Sequence, residues 1–208
     1  MQNESLLHQA NNVRRTNVQR RKFVAASAGI ALMFGLGIAG EAETKKALLR
    51  PPGGQDEASF LANCIKCDRC RSACHTSAIG IASIEEGFVQ ARTPIMKFHL
   101  GSCDFCNKCV EVCPTDALKP FDKKSVKIGI AELTDVCIAL NFGACTLCYT
   151  ACPYKAITLD AQKRPIIDSE KCNGCGVCEN ICPALILRSY VGGKVRGVEI
   201  KPISHKEV

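Results

Sequence analysis

The chain of 208 residues carries 16 cysteines, and all of them fall into four groups of four. The first group is Cys64, Cys67, Cys70 and Cys74, and the second is Cys103, Cys106, Cys109 and Cys113. The third is Cys137, Cys145, Cys148 and Cys152, and the fourth is Cys172, Cys175, Cys178 and Cys182. Groups one, two and four share the spacing C-x2-C-x2-C-x3-C, whereas group three stretches its first gap to seven residues. Thiols at this density form disulfides, hold zinc or hold iron–sulfur clusters. Zinc prefers two separated cysteine pairs that close one tetrahedron, and three thiolates in so short a run suit it poorly. A disulfide framework has no need of one spacing repeated four times. The same spacing puts three sulfurs on three irons of a cubane, and the fourth cysteine then serves the neighbouring cluster of a pair. The residues are therefore read as ligands of four [4Fe-4S] clusters, with zinc and disulfides as the alternatives.

The repeat extends beyond the ligands. Pro114, Pro153 and Pro183 follow the last cysteine of groups two, three and four, where they stop a short helical turn from continuing. His75 takes that place in group one, either as a hydrogen-bond donor to a cluster or as a plain turn residue. Small and aliphatic residues come next, as Ala78-Ile79, Ala117-Leu118, Ala156-Ile157 and Ile186-Leu187. They are expected to cover the clusters and exclude water, which helps to set potential. Between groups three and four, two short strands separated by a polar turn at Asp160–Arg164 read as one compact unit. This favours pairing group three with four and group one with two; a nested pairing, one with four and two with three, is the alternative. The expected fold is α+β, two tandem bacterial ferredoxin-like 2[4Fe-4S] domains at residues 64–130 and 131–190. A lead-in segment at 43–63 precedes them and a C-terminal hairpin and tail at 191–208 follows, with its turn at Gly192-Gly193.

Residues 1–42 contain no cysteine. A basic, polar start leads into the apolar run Val24–Gly40, and Gly40-Glu41-Ala42 offers a cleavage site, the layout of an export signal. Arg20, Arg21 and Phe23 resemble a twin-arginine signal, with a chance basic pair before another type of signal as the alternative. Export of a folded protein suits the cysteines, because bare thiols would be oxidised in a periplasm. The signal is either cleaved or kept as an anchor.

Composition limits the remaining classes. The apolar fraction of 47% counts cysteine, and removing the 16 cysteines leaves about 39% with no Trp. A large conventional core is therefore not expected. Charge content of 23%, without heptads or collagen repeats, excludes coiled-coil, collagenous and disordered classes. The formal net charge of +7 falls to +4 without residues 1–42, which hold five basic and two acidic groups. Four cubanes at about −2 each would make the loaded protein acidic. Lys66, Arg69, Arg71, Lys108 and Lys171 are read as local compensation for that charge, or as a solvated face. No basic stripe with interleaved aromatics supports nucleic-acid binding. In the tail, Lys194, Arg196 and Lys201 could dock an acidic partner or form ordinary surface.

These motifs resemble the NapG/MauM family of periplasmic ferredoxin-type proteins. The resemblance includes Leu49-Arg50-Pro51-Pro52-Gly53, which leads through Glu57 and Phe60 to Cys64, and the widened Cys137-to-Cys145 gap holding Leu140-Asn141-Phe142. His75 departs from the usual proline, and the second motif is regular where some members widen it. The resemblance implies an electron-transfer subunit rather than a catalytic one, fed by a membrane-bound polytopic iron–sulfur quinol dehydrogenase. Electrons would pass to a periplasmic nitrate reductase or a cytochrome acceptor. An iron–sulfur subunit of another exported molybdoenzyme, or of methylamine utilisation, is the alternative. The residues agree with a carrier: every cubane position has a thiolate, and no C-x3-C-x2-C group or C-x-x-C-H haem motif is present.

Overall fold

A computed structural model describes residues 47–184 and 195–203. Arg20, Arg21 and Phe23 of the expected signal, Ile186-Leu187 and the expected Gly192-Gly193 turn lie outside the described residues. The elements are short because ligand loops interrupt the chain every few residues. The α-helices placed wholly within the described residues are α1 Glu57–Asn63, α2 Arg69–Ala73, α3 Lys108–Glu111, α4 Ile138–Asn141, α5 Leu147–Ala151 and α6 Val177–Asn180. The strands among the described residues are β1 Ile79–Ile81, β2 Pro94–Met96, β3 Gly129–Leu133, β4 Ile157–Leu159, β5 Pro165–Ile167 and β6 Val198–Pro202.

The strands pair two by two, all antiparallel, in the orders β1-β2, β3-β6 and β4-β5. The result is the α+β class expected from sequence, laid out as two similar halves. In each half a hairpin joins the two cysteine groups. The second hairpin matches Ile157 with Ile167 and Leu159 with Pro165. Its turn is the expected one: the Asp160 carboxylate accepts from the amides of Gln162 and Arg164 at 2.9 and 2.7 Å. In the first hairpin, β1 and β2 are separated by a longer excursion, closed where the Ala82 amide donates to the Thr93 carbonyl at 2.9 Å. That excursion accounts for the wider gap between groups one and two.

The tail boundary expected at residue 191 differs from the structure. Strand β6 pairs with β3 from Gly129↔Pro202 to Leu133↔Val198, so it belongs to the second half. Burial alternates along both strands, which turns Ala131, Val198 and Ile200 inward and Glu132 and Lys201 outward. A two-stranded ribbon is marginal alone, and these inward side chains anchor it on the cysteine-bearing loops. Seven of the buried apolar residues are cysteines, in keeping with the thin conventional core expected from composition.

The lead-in segment is fixed by one arginine. The Arg50 side chain, 2% exposed, pairs with Glu57 at 2.6 Å and donates to the Thr93 hydroxyl at 2.7 Å and the Pro94 carbonyl at 3.0 Å. Its guanidinium also lies 4.6 Å from the centre of the Phe60 ring. Gln90 reaches Glu57 as well, at 3.1 Å. Arg50 thus ties the lead-in to α1 and to the start of β2, while the Lys119 amide donates to the Gly53 carbonyl at 3.0 Å. Replacing Arg50 with Ala strands buried acceptors and Glu57, and the expected loss is about 3 kcal/mol. Urea denaturation of the loaded protein measures it. Arg50→Lys is expected to recover less than half of the loss, because a single ammonium cannot form the planar fork.

Candidate functional site

Left-handed residues shape the loops that carry the thiols. On either side of the second cysteine stand Lys66 and Asp68 in group one, Phe105 and Asn107 in group two, and Gly174 and Gly176 in group four. All six have positive φ, between 56° and 80°. Left-handed backbone costs a non-glycine residue about 1–2 kcal/mol. The chain adopts it here because alternate turns bring three successive thiols to one side. In group three the pattern shifts to Gly143 and Ala144 before Cys145, where the widened gap has room for helix α4. A second left-handed position follows the last cysteine by three residues, at Ser77, Asp116 and Lys155. It folds the next apolar pair back over the thiols.

Four cavities result, each lined by four cysteines. Cavity 1 has Cys64, Cys67 and Cys70 with Cys113; cavity 2 has Cys103, Cys106 and Cys109 with Cys74. Cavity 3 has Cys137, Cys145 and Cys148 with Cys182; cavity 4 has Cys172, Cys175 and Cys178 with Cys152. The fourth cysteine of each group therefore crosses to its partner group. The pairing is one with two and three with four, as the tandem reading expects, and the nested alternative is not what the structure has. Ala117 and Leu118 line cavity 1, Ile79 lines cavity 2, and Ala156 and Ile157 line cavity 4, which places these apolar pairs where the repeat suggested.

The cavities fit a cluster better than the alternatives. All 16 thiols are free, so the disulfide reading fails. Their volumes are nearly equal, about 350, 340, 300 and 320 Å³ for cavities 1 to 4. A single zinc ion with bonds of about 2.3 Å would draw four sulfurs to within about 4 Å of one another. Among the described residues the one trio of ligand atoms within 4.8 Å is His75, Asp104 and Cys106, so no cysteine quartet converges that closely. Four soft donors spread around a volume of this size suit a multi-iron cubane.

Burial sets the thiol chemistry. It pushes Cys70 and Cys103 up to about 12, and Cys109, Cys148 and Cys175 up to about 11. Cys178 is pushed up further for the same reason. Cys113 goes the other way: burial raises it, but the amides of Thr115, Leu118 and Ala117 and the Thr115 hydroxyl together hold it below the usual thiol range. Two other sulfurs also accept backbone amides, Cys172 from Ala131 at 3.5 Å and Cys152 from Ala156 at 3.4 Å.

His75 is more than a turn residue. Its Nε2 lies 3.0 Å from an Asp104 oxygen, and its Nδ1 lies 3.8 Å from the Cys106 sulfur. Asp104 gave no sign of this role in the sequence, because its partner stands 29 residues away. The basic residues divide. Lys66 and Arg69 line cavity 1 and Lys108 lines cavity 2, whereas Arg71 pairs with Asp68 and Lys171 with Asp168, both at 2.8 Å. In the tail, Arg196 donates to the carbonyls of Glu179 and Asn180 at the end of α6, and Lys201 pairs with Glu199 at 2.6 Å. Arg196 has an internal role, whereas Lys201 is ordinary surface paired with its neighbour; Lys194 lies outside the described residues. Sequence reasoning also missed Glu179, which is buried on α6 and accepts from the Ile200 amide at 2.7 Å, locking β6 to the fourth group.

Comparison with known proteins agrees with this geometry. Residues 63–117 and 143–186 match the 4Fe-4S dicluster domain; the first segment spans groups one and two, and the second spans groups three and four except Cys137. The ferredoxin-type protein NapG of Escherichia coli (strain K12) is 32% identical over 187 residues, covering 78% of this chain and 80% of that protein. The methylamine utilization ferredoxin-type protein MauM of Methylorubrum extorquens is 35% identical over 183 residues, covering 80% of this chain and 81% of that protein. The ferredoxin-type protein NapF of Escherichia coli (strain K12) is 31% identical over 139 residues, 65% of this chain and 80% of that protein. Cysteine spacing, ferredoxin-like halves and relatives of similar length together place the chain in the NapG/MauM family of ferredoxin-type 4Fe-4S electron carriers.

Proposed function

We propose that the chain is a four-cluster relay, which carries electrons from a membrane-bound polytopic iron–sulfur quinol dehydrogenase subunit towards a periplasmic nitrate reductase or cytochrome. The observation that carries this reading is the set of four nearly equal, cysteine-lined cavities with exchanged fourth ligands. Each [4Fe-4S] cluster supplies one-electron chemistry when bound. The 16 cysteines would hold the clusters, three from one group and one from its partner. The apolar pairs Ala78-Ile79, Ala117-Leu118 and Ala156-Ile157, all buried or nearly so, exclude water. Lys66, Arg69 and Lys108 offset part of the added negative charge. Among the described residues no helix is long and apolar enough to cross a membrane; in this reading the partner meets the quinol. Arg20, Arg21 and Phe23 would send the folded, loaded chain through the twin-arginine route to the periplasm. Methylamine utilisation is the second reading, favoured by the MauM relative at 35% identity.

An EPR-monitored redox titration of the exported, anaerobically purified protein tests the proposal. The expected outcome is about 16 irons per chain and some midpoints near the quinone pool, within the span of roughly −700 to +450 mV open to such clusters. Four midpoints all at the low end would sink the quinol feed while leaving the cofactors in place.

Iron removal should expose the thiol energetics. A thiol whose folded value is raised keeps its proton longer in the folded state than in the unfolded one. The stability this gives is complete below about pH 9 and is lost as pH rises towards the folded values of about 11 to 12. The iron-free chain is therefore expected to weaken steadily from about pH 9 upward, and the loaded chain to change much less. Urea midpoints by circular dichroism at several pH values measure this. Loading near neutral pH should also release protons, because thiolates are the ligands.

A further inference from the structure

The contacts between the two halves are concentrated on two of the four ligand loops. The Cys103 amide in cavity 2 donates to the Cys175 carbonyl in cavity 4 at 2.8 Å. Phe105, which lines cavity 2, meets Tyr154, which lines cavity 4, edge to face with ring centres 6.4 Å apart. Behind these contacts the Asn180 side chain donates to the Phe98 carbonyl at 2.7 Å, and His99 Nδ1 lies 3.7 Å from a Glu179 carboxylate oxygen. Gly176 completes the seam. A Cβ built there would stand 2.0 Å from the Phe98 ring, so only glycine lets the loop lie this close. Among the described residues no hydrogen bond or ion pair joins the lining of cavity 1 to the second half, or that of cavity 3 to the first.

We infer that electrons cross between the halves at one place, through Cys103–Cys175 and the Phe105–Tyr154 pair. The four centres then stand in the order 1–2–4–3, not in chain order. This rests on the assignment of clusters to the four cavities. Cavities 2 and 4 are the inner stations, and cavities 1 and 3 are the ends at which a donor and an acceptor protein exchange electrons with the chain. With a [4Fe-4S] cluster held by the cysteines of each inner cavity, a crossing would oxidise one by a single electron and reduce the other by the same electron, with no proton moved and no bond broken. The hydrogen bond supplies a continuous bonded route from one ligand backbone to the other, and the ring pair fills the gap beside it. Phe105 and Tyr154 are positioning residues here, since the cysteines remain the ligands.

The test uses the full chain, reduced stepwise and followed by iron analysis and pulsed EPR. Three nearest-neighbour spin–spin interactions are expected, one within each half and a third between halves. Asn180→Ala, outside every cavity lining, removes the bond to the Phe98 carbonyl and should weaken the third alone with iron content unchanged. Tyr154→Ala, compared at equal measured iron content, should slow re-equilibration between halves severalfold after photoreduction, and Tyr154→Phe, which keeps the ring, should restore the rate. Only two interactions in the wild-type chain would overturn the crossing. So would a third interaction unchanged in Asn180→Ala while Tyr154→Ala at full iron content leaves the rate unchanged. Fewer than four clusters in the wild-type chain would overturn the cofactor reading itself, which separates the two failures.

Discussion

Four thiols held around a space that no side chain fills impose the constraint on which the other elements depend. Each of the four cavities is lined by sulfur and apolar side chains, whose inward faces have few protein atoms to pack against, and lost packing costs stability. Desolvated thiols and left-handed loop residues add to the cost. The short strands and one-turn helices have little apolar area with which to offset it. The fold is therefore built to be completed by what the thiols bind, and its thin core follows from that dependence.

Exchange of the fourth cysteine has a consequence for how the chain folds. Cys74 belongs by sequence to group one and by position to cavity 2, and Cys113 does the reverse. Neither group can finish its own site, so the half, not the motif, is the smallest complete unit. The hairpins sit between paired groups because they must return the chain over a fixed, short distance. The lead-in and β6 serve the same purpose from outside. Arg50 fastens the first half, and the Glu179–Ile200 contact and Arg196 fasten the second. The two fastenings use unrelated residues, so the internal repeat is one of ligands and turns rather than of packing.

Much of this was legible in the sequence because cysteine spacing is a local geometric code. The quartets, the α+β class, the Asp160–Arg164 turn and the apolar pairs over the thiols follow from residues within a few positions of one another. The pairing of groups was legible only as a preference, since both tandem and nested pairing satisfy the same spacing. What the sequence hid depends on contacts far apart along the chain. His75 meets Asp104 and Cys106, Arg50 meets Thr93, and β6 crosses back to β3. The tail shows the limit well. Its Arg196 and Lys201 read as free cations until the carbonyls of α6 and the Glu199 carboxylate are placed beside them.

Equal ligand sets in this chain do not sit in equal surroundings. Cavity 1 includes the exposed Cys67, whereas three of the four cysteines of cavity 4 are buried. The sulfur of Cys172 accepts a buried amide, that of Cys106 faces an imidazole and a carboxylate near solvent, and Cys113 is surrounded by four donors. Potentials of iron–sulfur centres respond to solvent exposure, to nearby charge and to hydrogen bonds on sulfur. A repeated motif fixes cofactor type and geometry, while these unrepeated neighbours set how readily each site accepts charge. The departures from the repeat, His75 and the widened third motif above all, fall at ligand loops. Variation there changes the surroundings of a cysteine quartet without costing it a ligand, so four copies of one motif give four different thiol environments.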